Sequence, residues 1–332
     1  MSDLALKSTA SRDVSVVTPC YNAAKYIVET LQSVLAQTVA PREIILVNDG
    51  SPDTEELERV LAPFRDRIIY IRQENQGASG ARNTGIRAST QPLVAFIDSD
   101  DLWEPNYIEV QTRYLDEHPD VSVVFPNGRR FGAGPALELI TLDANENGPV
   151  TFERMIRLEI VVNTSLMARR EVLFDAGLYD PGFPTCEDFD LWLRIVKKGH
   201  KIAYHHTILM HSRVRPGSLS SQQMRMYTDF LRVLDKCSET MHLTDGERNA
   251  ISDQKRDYRA RMSLHQGKNA FFSGNTDAAI EHLAQANTYF NSKKLSAAIV
   301  ALKVAPGLVL KMYHLRDRLV FRTDTKSQYV SS

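Results

Sequence analysis

The stretch Leu93-Val94-Ala95-Phe96-Ile97-Asp98-Ser99-Asp100-Asp101 decides how this chain is read. Five apolar residues in a row predict a strand buried on both faces, and the carboxylates of Asp98, Asp100 and Asp101 stand where that strand must end. Like charges this close raise one another's pKa unless a cation joins them. Hard oxygen ligands suit Mg2+ or Mn2+, which bind through one or two protein acids and fill the rest of their sphere with water and substrate phosphate. A metal-held diphosphate is the guest such a pattern invites.

An isolated Asp-x-Asp is more often a solvated turn, so the surroundings must decide. A calcium EF-hand loop starting at Asp98 fails, because Leu102 and Trp103 stand where it needs an acid or amide and then a glycine. A haloacid-dehalogenase-type phosphatase is weakened by Leu102, which replaces the threonine or valine of its pattern.

Working outward, residues 14–18, 44–47, 68–71 and 121–125 predict further strands. Between them, 23–37 and a helix opened by Ser51-Pro52 and Asp53 carry apolar residues at helical spacing, 77–88 reads as a short helix opened by glycine, and 105–117 as another helix. Strand and helix alternate, which predicts an α/β fold: a doubly wound, mostly parallel sheet with helices on both faces. Ligands of such sheets bind beyond the carboxyl ends of the strands. Residues 18–22, Asn48-Asp49, Glu74-Asn75-Gln76 and Asp98-Ser99-Asp100-Asp101 each follow a predicted strand, so four polar clusters should meet at one rim. The glycine-containing span 128–149 reads as loop. After it come a strand at 164–168, helices at 170–176 and 187–198, and a closing strand at 201–204. From residue 221 onward the pattern is helical, with one tetratricopeptide-like hairpin over 264–286. The domain reading is therefore 13–220 for the sheet and 221–332 for a helical extension.

Composition bounds the partners. The 332 residues carry 40 basic and 41 acidic side chains, so no basic surplus argues for nucleic acid or an anionic membrane as the main partner. Cys20, Cys186 and Cys237 are odd in number and show no C-x-x-C spacing, which predicts reduced thiols in the cytoplasm. Residues 1–13 are polar and lack the apolar core of a signal peptide. The apolar stretch 295–312 is broken by Lys303 and Pro306, so it is too short to span a bilayer, yet with Lys293-Lys294 before it, it could lie on the inner face of one.

Each cluster has a chemistry. Tyr21 can stack on a planar base and Asp49 can accept from a base N–H, although core cover and turn stabilisation are their ordinary roles. Arg82 stands in the first turns of a helix, where a cation does not favour the dipole, so it answers a ligand or a salt bridge to Asp49 or Asp98. Asp98 suits a ribose hydroxyl and Asp100 the metal, while Asp101 caps a helix or orients its neighbour. Glu187-Asp188 opens a later helix; acids are at home there, but Asp188 is also a base candidate if that helix points into the cleft.

Val16-Val17-Thr18-Pro19-Cys20-Tyr21-Asn22, Val47-Asn48-Asp49-Gly50-Ser51, Asn75-Gln76-Gly77 with Ala81-Arg82-Asn83, Asp98-Ser99-Asp100-Asp101 and Glu187-Asp188, in that order, resemble the signature of family 2 glycosyltransferases with the GT-A fold. The resemblance implies inverting transfer from a nucleotide-diphosphate sugar, usually UDP-linked, to a glycan or lipid-linked acceptor in envelope polysaccharide assembly, with a divalent metal, Mn2+ or Mg2+. It implies that Thr18, Pro19, Tyr21, Asp49 and Arg82 line the nucleoside pocket, that Asp98 and Ser99 meet the ribose side, that Asp100 holds the metal, and that Asp188 is the general base. Arg213-Val214-Arg215-Pro216-Gly217-Ser218 resembles the family's closing segment, with Arg215 where a histidine is common. Arg213 and Arg215 are therefore candidate phosphate contacts, and Trp103 and Glu187 candidate acceptor contacts. A metal-dependent nucleotidyl- or phosphotransferase, or a non-catalytic nucleotide-sugar or glycan binding module, fits the same acids.

Overall fold

A computed structural model describes residues 11–132, 148–215 and 222–308. The predicted loop over 133–147, the closing segment from Pro216 and the tail from 309 lie outside the described residues. The chain forms two compact units, residues 1–250 and 251–332.

The first unit is built on one mixed sheet. Strands β1 (Ser11–Cys20), β2 (Ala40–Asp49), β3 (Ile69–Gln73) and β4 (Leu93–Phe96) are parallel and lie in the order β3-β2-β1-β4. Helices α1 (Ile27–Leu35), α2 (Thr54–Leu61) and α3 (Gly77–Ala88) connect them. Alternation within the strands shows why both faces are covered. Val14, Val16, Ile44, Leu46, Ala95 and Ile97 pack with Ile27 and Leu31 of α1, Leu57 and Leu61 of α2, and Tyr107 and Leu115 of α4 (Tyr107–Glu117). The intervening Val17, Ile45, Val47 and Phe96 are equally buried and face the other way. Gly85 of α3 comes so near β1 on that face that a Cβ there would lie 2.3 Å from Val17 Cγ1.

The second half of the sheet departs from the parallel pattern. Strand β7 (Met167–Arg169) runs antiparallel to β4, with Ala95 opposite Met167, and antiparallel to β6 (Val121–Gly132). The two-residue β5 (Leu102–Trp103) pairs antiparallel with β8 (Lys201–Val214), which itself lies parallel to β6. Both β6 and β8 run well past their predicted ends, each extended by the other: Gly128 pairs with Met210 and Gly132 with Val214, across register shifts near Pro126. The short helices α5 (Phe152–Ile156) and α6 (Arg170–Asp175) and the longer α7 (Glu187–Lys197) lie between β6 and β8.

Two local expectations change. Asp53 does not cap α2 with its side chain; its carboxylate accepts the Ala24 amide at 2.8 Å and the Ser51 hydroxyl, tying the turns after β1 and β2 together. The compact unit also extends beyond residue 220, because α8 (Gln223–Thr240) is bound to it. Buried Asp229 accepts the Thr185 amide and hydroxyl, and Lys236 reaches buried Asp190 at 2.7 Å.

Helix α9 (Asp245–Phe272) leads into the second unit, which continues with α10 (Thr276–Phe290) and α11 (Lys293–Val304). Its small core is Leu283, Ile299 and Leu302, with Leu264, Phe271, Ile280 and Leu295 packed against it. Gly267 sits directly on Leu283, which lets α9 and α10 approach closely. Among the described residues no helix is long and apolar enough to cross a membrane.

The contact at Gly85 sets the distance between α3 and the sheet. Gly85→Ala should gain about 1 kcal/mol of helix propensity and lose more to overpacking, about 1–3 kcal/mol, lowering the melting temperature. A variant that melts at or above the parent temperature shows that the spacing yields.

Candidate active site

The four parallel strands all end at one rim, and β1 with β4 forms the point where strand order reverses. After β4 the chain turns out as Asp98-Ser99-Asp100-Asp101, whose carboxylates have different partners. Asp98 Oδ1 accepts Arg82 Nη2 at 2.9 Å and its Oδ2 accepts the Thr164 hydroxyl at 3.1 Å. The segment that enters antiparallel β7 supplies that hydroxyl, since the direction of β7 carries residues 164–166 alongside the end of β4, where Leu166 O takes the Phe96 amide at 3.0 Å.

Arg82 has a side chain only 5% exposed, and its Nη1 donates to Glu187 Oε1 at 2.7 Å. Burial opposes the charge, but Asp98 and Glu187 outweigh it and hold the guanidinium firmly protonated. The group lies 5.5 Å from the centre of the Tyr179 ring. Neighbouring Asn83 exchanges two hydrogen bonds with the Tyr179 backbone, at 2.8 and 2.9 Å, so one turn of α3 fixes the segment that leads to α7. The salt bridge expected for Arg82 therefore goes to Asp98 and not to Asp49, and it takes in Glu187.

Helix α7 begins at Glu187 after Cys186, a non-glycine residue in the left-handed region at φ 59°. Half-buried Asp188 accepts its neighbour Phe189's amide at 2.7 Å. Burial first, and then the charge of Glu187, push its carboxyl up to about 7 against the pull of Arg82. A carboxyl so placed takes up and releases protons near neutrality.

Asp100 has a side chain 14% exposed and stands 2.5 Å from Arg215 Nε. Burial and the Asp98 charge raise its pKa, with Arg215 pulling the other way. Asp101 is buried and accepts the Arg213 amide at 2.8 Å; burial, with Asp98 and Asp100 beside it, keeps its carboxyl well above the usual range. It does not cap a helix; it fastens the end of β8 to the acidic turn. Arg213 is committed to the protein: Nε donates to Asp100 O at 2.9 Å and Nη2 to Glu29 at 2.8 Å, with the group over Tyr26 and Phe131.

The remaining predicted residues fall in two places. Asp49 is buried at the end of β2, where Gln73 Nε2 at 2.7 Å and the Gln76 amide at 2.9 Å donate to its Oδ1, bringing it to the start of α3. Thr18 and Ser99 are buried, Pro19 is half-buried, and Tyr21 is 50% exposed just past β1. Trp103 is a correction: it is 4% exposed, stacks on Tyr107 at 3.8 Å and donates to Ser165, so it fills the core and offers no face to an acceptor. His205 is held by Gln111 and His211 by Glu104. Thr164 and Tyr179 were not singled out; a lone threonine and a tyrosine in a turn give no sequence signal, because their partners come from other elements.

A divalent cation would fit this donor set through Asp100, a hard oxygen donor on the turn after β4 whose side chain keeps 14% of its surface exposed. Among the described residues no group of three or more His, Cys, Asp or Glu is arranged to hold a metal, so water and substrate oxygens must supply the rest.

A sheet with this strand order, with acids at the switch point and a second acidic pair opening a later helix, has the GT-A fold of its solved neighbours. The Glycosyl transferase family 2 profile matches residues 15–174. The chain is 30% identical over 215 residues to TuaG of Bacillus subtilis, covering 64% of this chain and 83% of TuaG, a protein whose name assigns it to teichuronic acid biosynthesis. It is 29% identical over 329 residues to an uncharacterized glycosyltransferase of Rickettsia prowazekii, covering 94% of each. Against another relative, from Rickettsia conorii, it spans only 34% of the length. Among solved structures, Staphylococcus aureus TarS in complex with UDP-GlcNAc aligns with TM-score 0.62 at 16% identity, covering 87% of both chains. A mannosyltransferase of Pyrobaculum calidifontis in complex with GDP-Man and Mn2+ aligns with TM-score 0.56 at 16% identity over 96% of this chain and 88% of that one. The chain belongs to glycosyltransferase family 2.

Removing the cation from the Asp98–Arg82–Glu187 bridge strands two carboxylates, one of them buried. Arg82→Gln should cost about 3 kcal/mol or more of folding stability, measured as a lower urea midpoint. An unchanged midpoint shows that the bridge does not hold the fold.

Proposed function

We propose that this glycosyltransferase inverts configuration, moving a sugar from a nucleotide-diphosphate donor, UDP-linked, to a hydroxyl of a glycan or lipid-linked acceptor. The observation that carries the proposal is the Asp98–Arg82–Glu187 bridge, which ties the start of α7, and with it Asp188 next to Glu187, to the acidic turn at the strand switch point; burial there raises the Asp188 pKa to about 7. The nucleoside lies over Thr18, Pro19 and Tyr21, with Asp49 accepting from the base and Asp98 and Ser99 at the ribose. Asp100 would hold a divalent metal, whose positive charge would stabilise the departing diphosphate. The TarS complex with UDP-GlcNAc supports the donor class, and the mannosyltransferase complex with Mn2+ supports the metal.

In the reaction, Asp188 takes the proton of the acceptor hydroxyl as its oxygen bonds to the anomeric carbon from the face opposite the diphosphate. The bond from that carbon to the diphosphate oxygen breaks and its electron pair leaves with the diphosphate. One displacement needs one base, so no second carboxylate forms a covalent intermediate. Glu187 is bound to Arg82 and positions its neighbour.

A peripheral place on an anionic membrane, on the cytoplasmic side, accords with the second unit. Residues 282–316 contain no acid but carry Lys293, Lys294, Lys303, Lys311 and Arg316, and α11 with its C-terminal flank exposes Val300, Val304 and Leu308. Sedimentation with phosphatidylglycerol vesicles should capture the protein, with pure phosphatidylcholine capturing far less; equal behaviour with both removes the electrostatic part of the reading.

Three measurements test the chemistry. A thermal-shift screen of nucleotide sugars with and without Mn2+ should give the largest rise for a UDP-sugar with metal, about 2.7 kcal/mol of stabilisation at a hundredfold excess over Kd. Asp188→Asn should lose about 100-fold or more in kcat while keeping UDP binding; undiminished turnover of a processed donor and acceptor dismisses Asp188 as base. Because the free enzyme's Asp188 must be ionised to accept a proton, kcat/KM should climb with pH below about 7 and level off above it. A profile flat from pH 5 to 8 contradicts the assignment.

A further inference from the structure

Arg215 meets Asp100 from a backbone that is itself anchored. It follows Val214, the last residue of β8, and the residue before that is fastened at three points: the Arg213 amide to Asp101, its Nε to Asp100 O, and its Nη2 to Glu29 on α1. The Arg215 side chain is 25% exposed and its guanidinium stands 5.7 Å from the centre of the Tyr26 ring. This is a delivered cation, not a surface arginine that happens to lie near an acid. The carboxylate it meets has little open surface through which a second cation could enter. A guanidinium in contact with one oxygen of Asp100 and a divalent ion on the same carboxylate repel each other at short range in a poorly hydrated site.

We infer that Arg215 is a resident counter-ion of Asp100 that competes with the divalent cation, so that metal enters this site together with a nucleoside diphosphate and not before it. The inference rests on the reading of Asp100 as metal ligand. A diphosphate gives the guanidinium an equivalent anionic partner, since arginine's planar fork matches phosphate as well as carboxylate. Transfer of Arg215 from Asp100 to phosphate leaves the carboxylate free for the ion that the same diphosphate brings. Binding is then ordered, and the acidic turn carries a neutralising charge in both states.

The test is Mn2+ binding to the full chain, followed by the electron paramagnetic resonance of free Mn2+, with and without UDP. Without UDP, Arg215→Gln should bind Mn2+ roughly tenfold more tightly than the parent, and Arg215→Lys, which keeps the charge, should resemble the parent. With saturating UDP the advantage of Arg215→Gln should vanish or reverse. Equal affinity of parent and Arg215→Gln without UDP overturns the inference, and so does an Arg215→Lys protein that binds as tightly as Arg215→Gln. The underlying reading fails separately: if the parent binds no Mn2+ even with UDP, or Asp100→Asn leaves UDP-dependent Mn2+ binding intact, Asp100 is not a metal ligand.

Discussion

A buried guanidinium must be paired, and in this molecule that requirement brings three distant parts of the chain into register. Arg82 on α3, Asp98 beyond β4 and Glu187 at the start of α7 share one charge-assisted bridge. Neither acid is well placed without the cation, and the cation is not stable in its buried position without both acids. The same turn of α3 holds Tyr179 through Asn83, so the helix that forms one wall of the sheet also sets where α7 begins. The position of Asp188 follows from that anchoring. Its desolvation depends on a helix start that could not sit so close to the rim without Arg82 to absorb the charge of Glu187.

The first half of the fold was legible because local signals and burial agree there. Apolar runs bounded by polar clusters gave β1 to β4, and α3, read as a short helix opened by glycine, spans Gly77–Ala88. The second half was legible only in part. Strand β5 is two residues whose extended form exists through pairing with β8, and no local pattern announces it. Gly128 reads as the start of a loop, yet β6 continues through Pro126 and Gly128 by shifting register against its partner. The exposed His206 and Thr207 likewise hide the continuity of β8, which is a property of the pairing and not of the segment. Asp53 shows the converse: a sound helix-start signal was drawn to an amide on another turn.

At the site, the sequence could name acids that follow strands but not what each one faces. Asp98 and Glu187 emerged as candidates, whereas their joint hold on Arg82 required the crossing of α3 and α7. Thr164 reaches Asp98 only because β7 is antiparallel, a direction that the predominance of parallel strands concealed. Trp103 read as an acceptor contact, and its stacking on Tyr107 makes it core. Arg213 and Arg215 look equivalent in sequence and both guanidinium groups lie near the Tyr26 ring, yet one is paired with Glu29 and the other with Asp100, a difference set by the partners and not by the strand pattern.

The charge balance of the rim explains why these details matter together. Asp98, Asp100, Asp101, Glu187 and Asp188 crowd the ends of two elements, and the cations that meet their carboxylates are Arg82 and Arg215. Burial and the neighbouring carboxylates push the pKa values of Asp101 and Asp188 upward, the direction expected of acids crowded together. What remains is negative, and it faces the place where a nucleoside diphosphate, more negative still, would bind. Two such partners do not approach without a cation between them. An acid-rich rim is therefore a poor receptor for a bare diphosphate and a good one for a diphosphate carrying a divalent ion, which is the physical reason for assigning Asp100 to that ion and Arg215 to its place in the ion's absence.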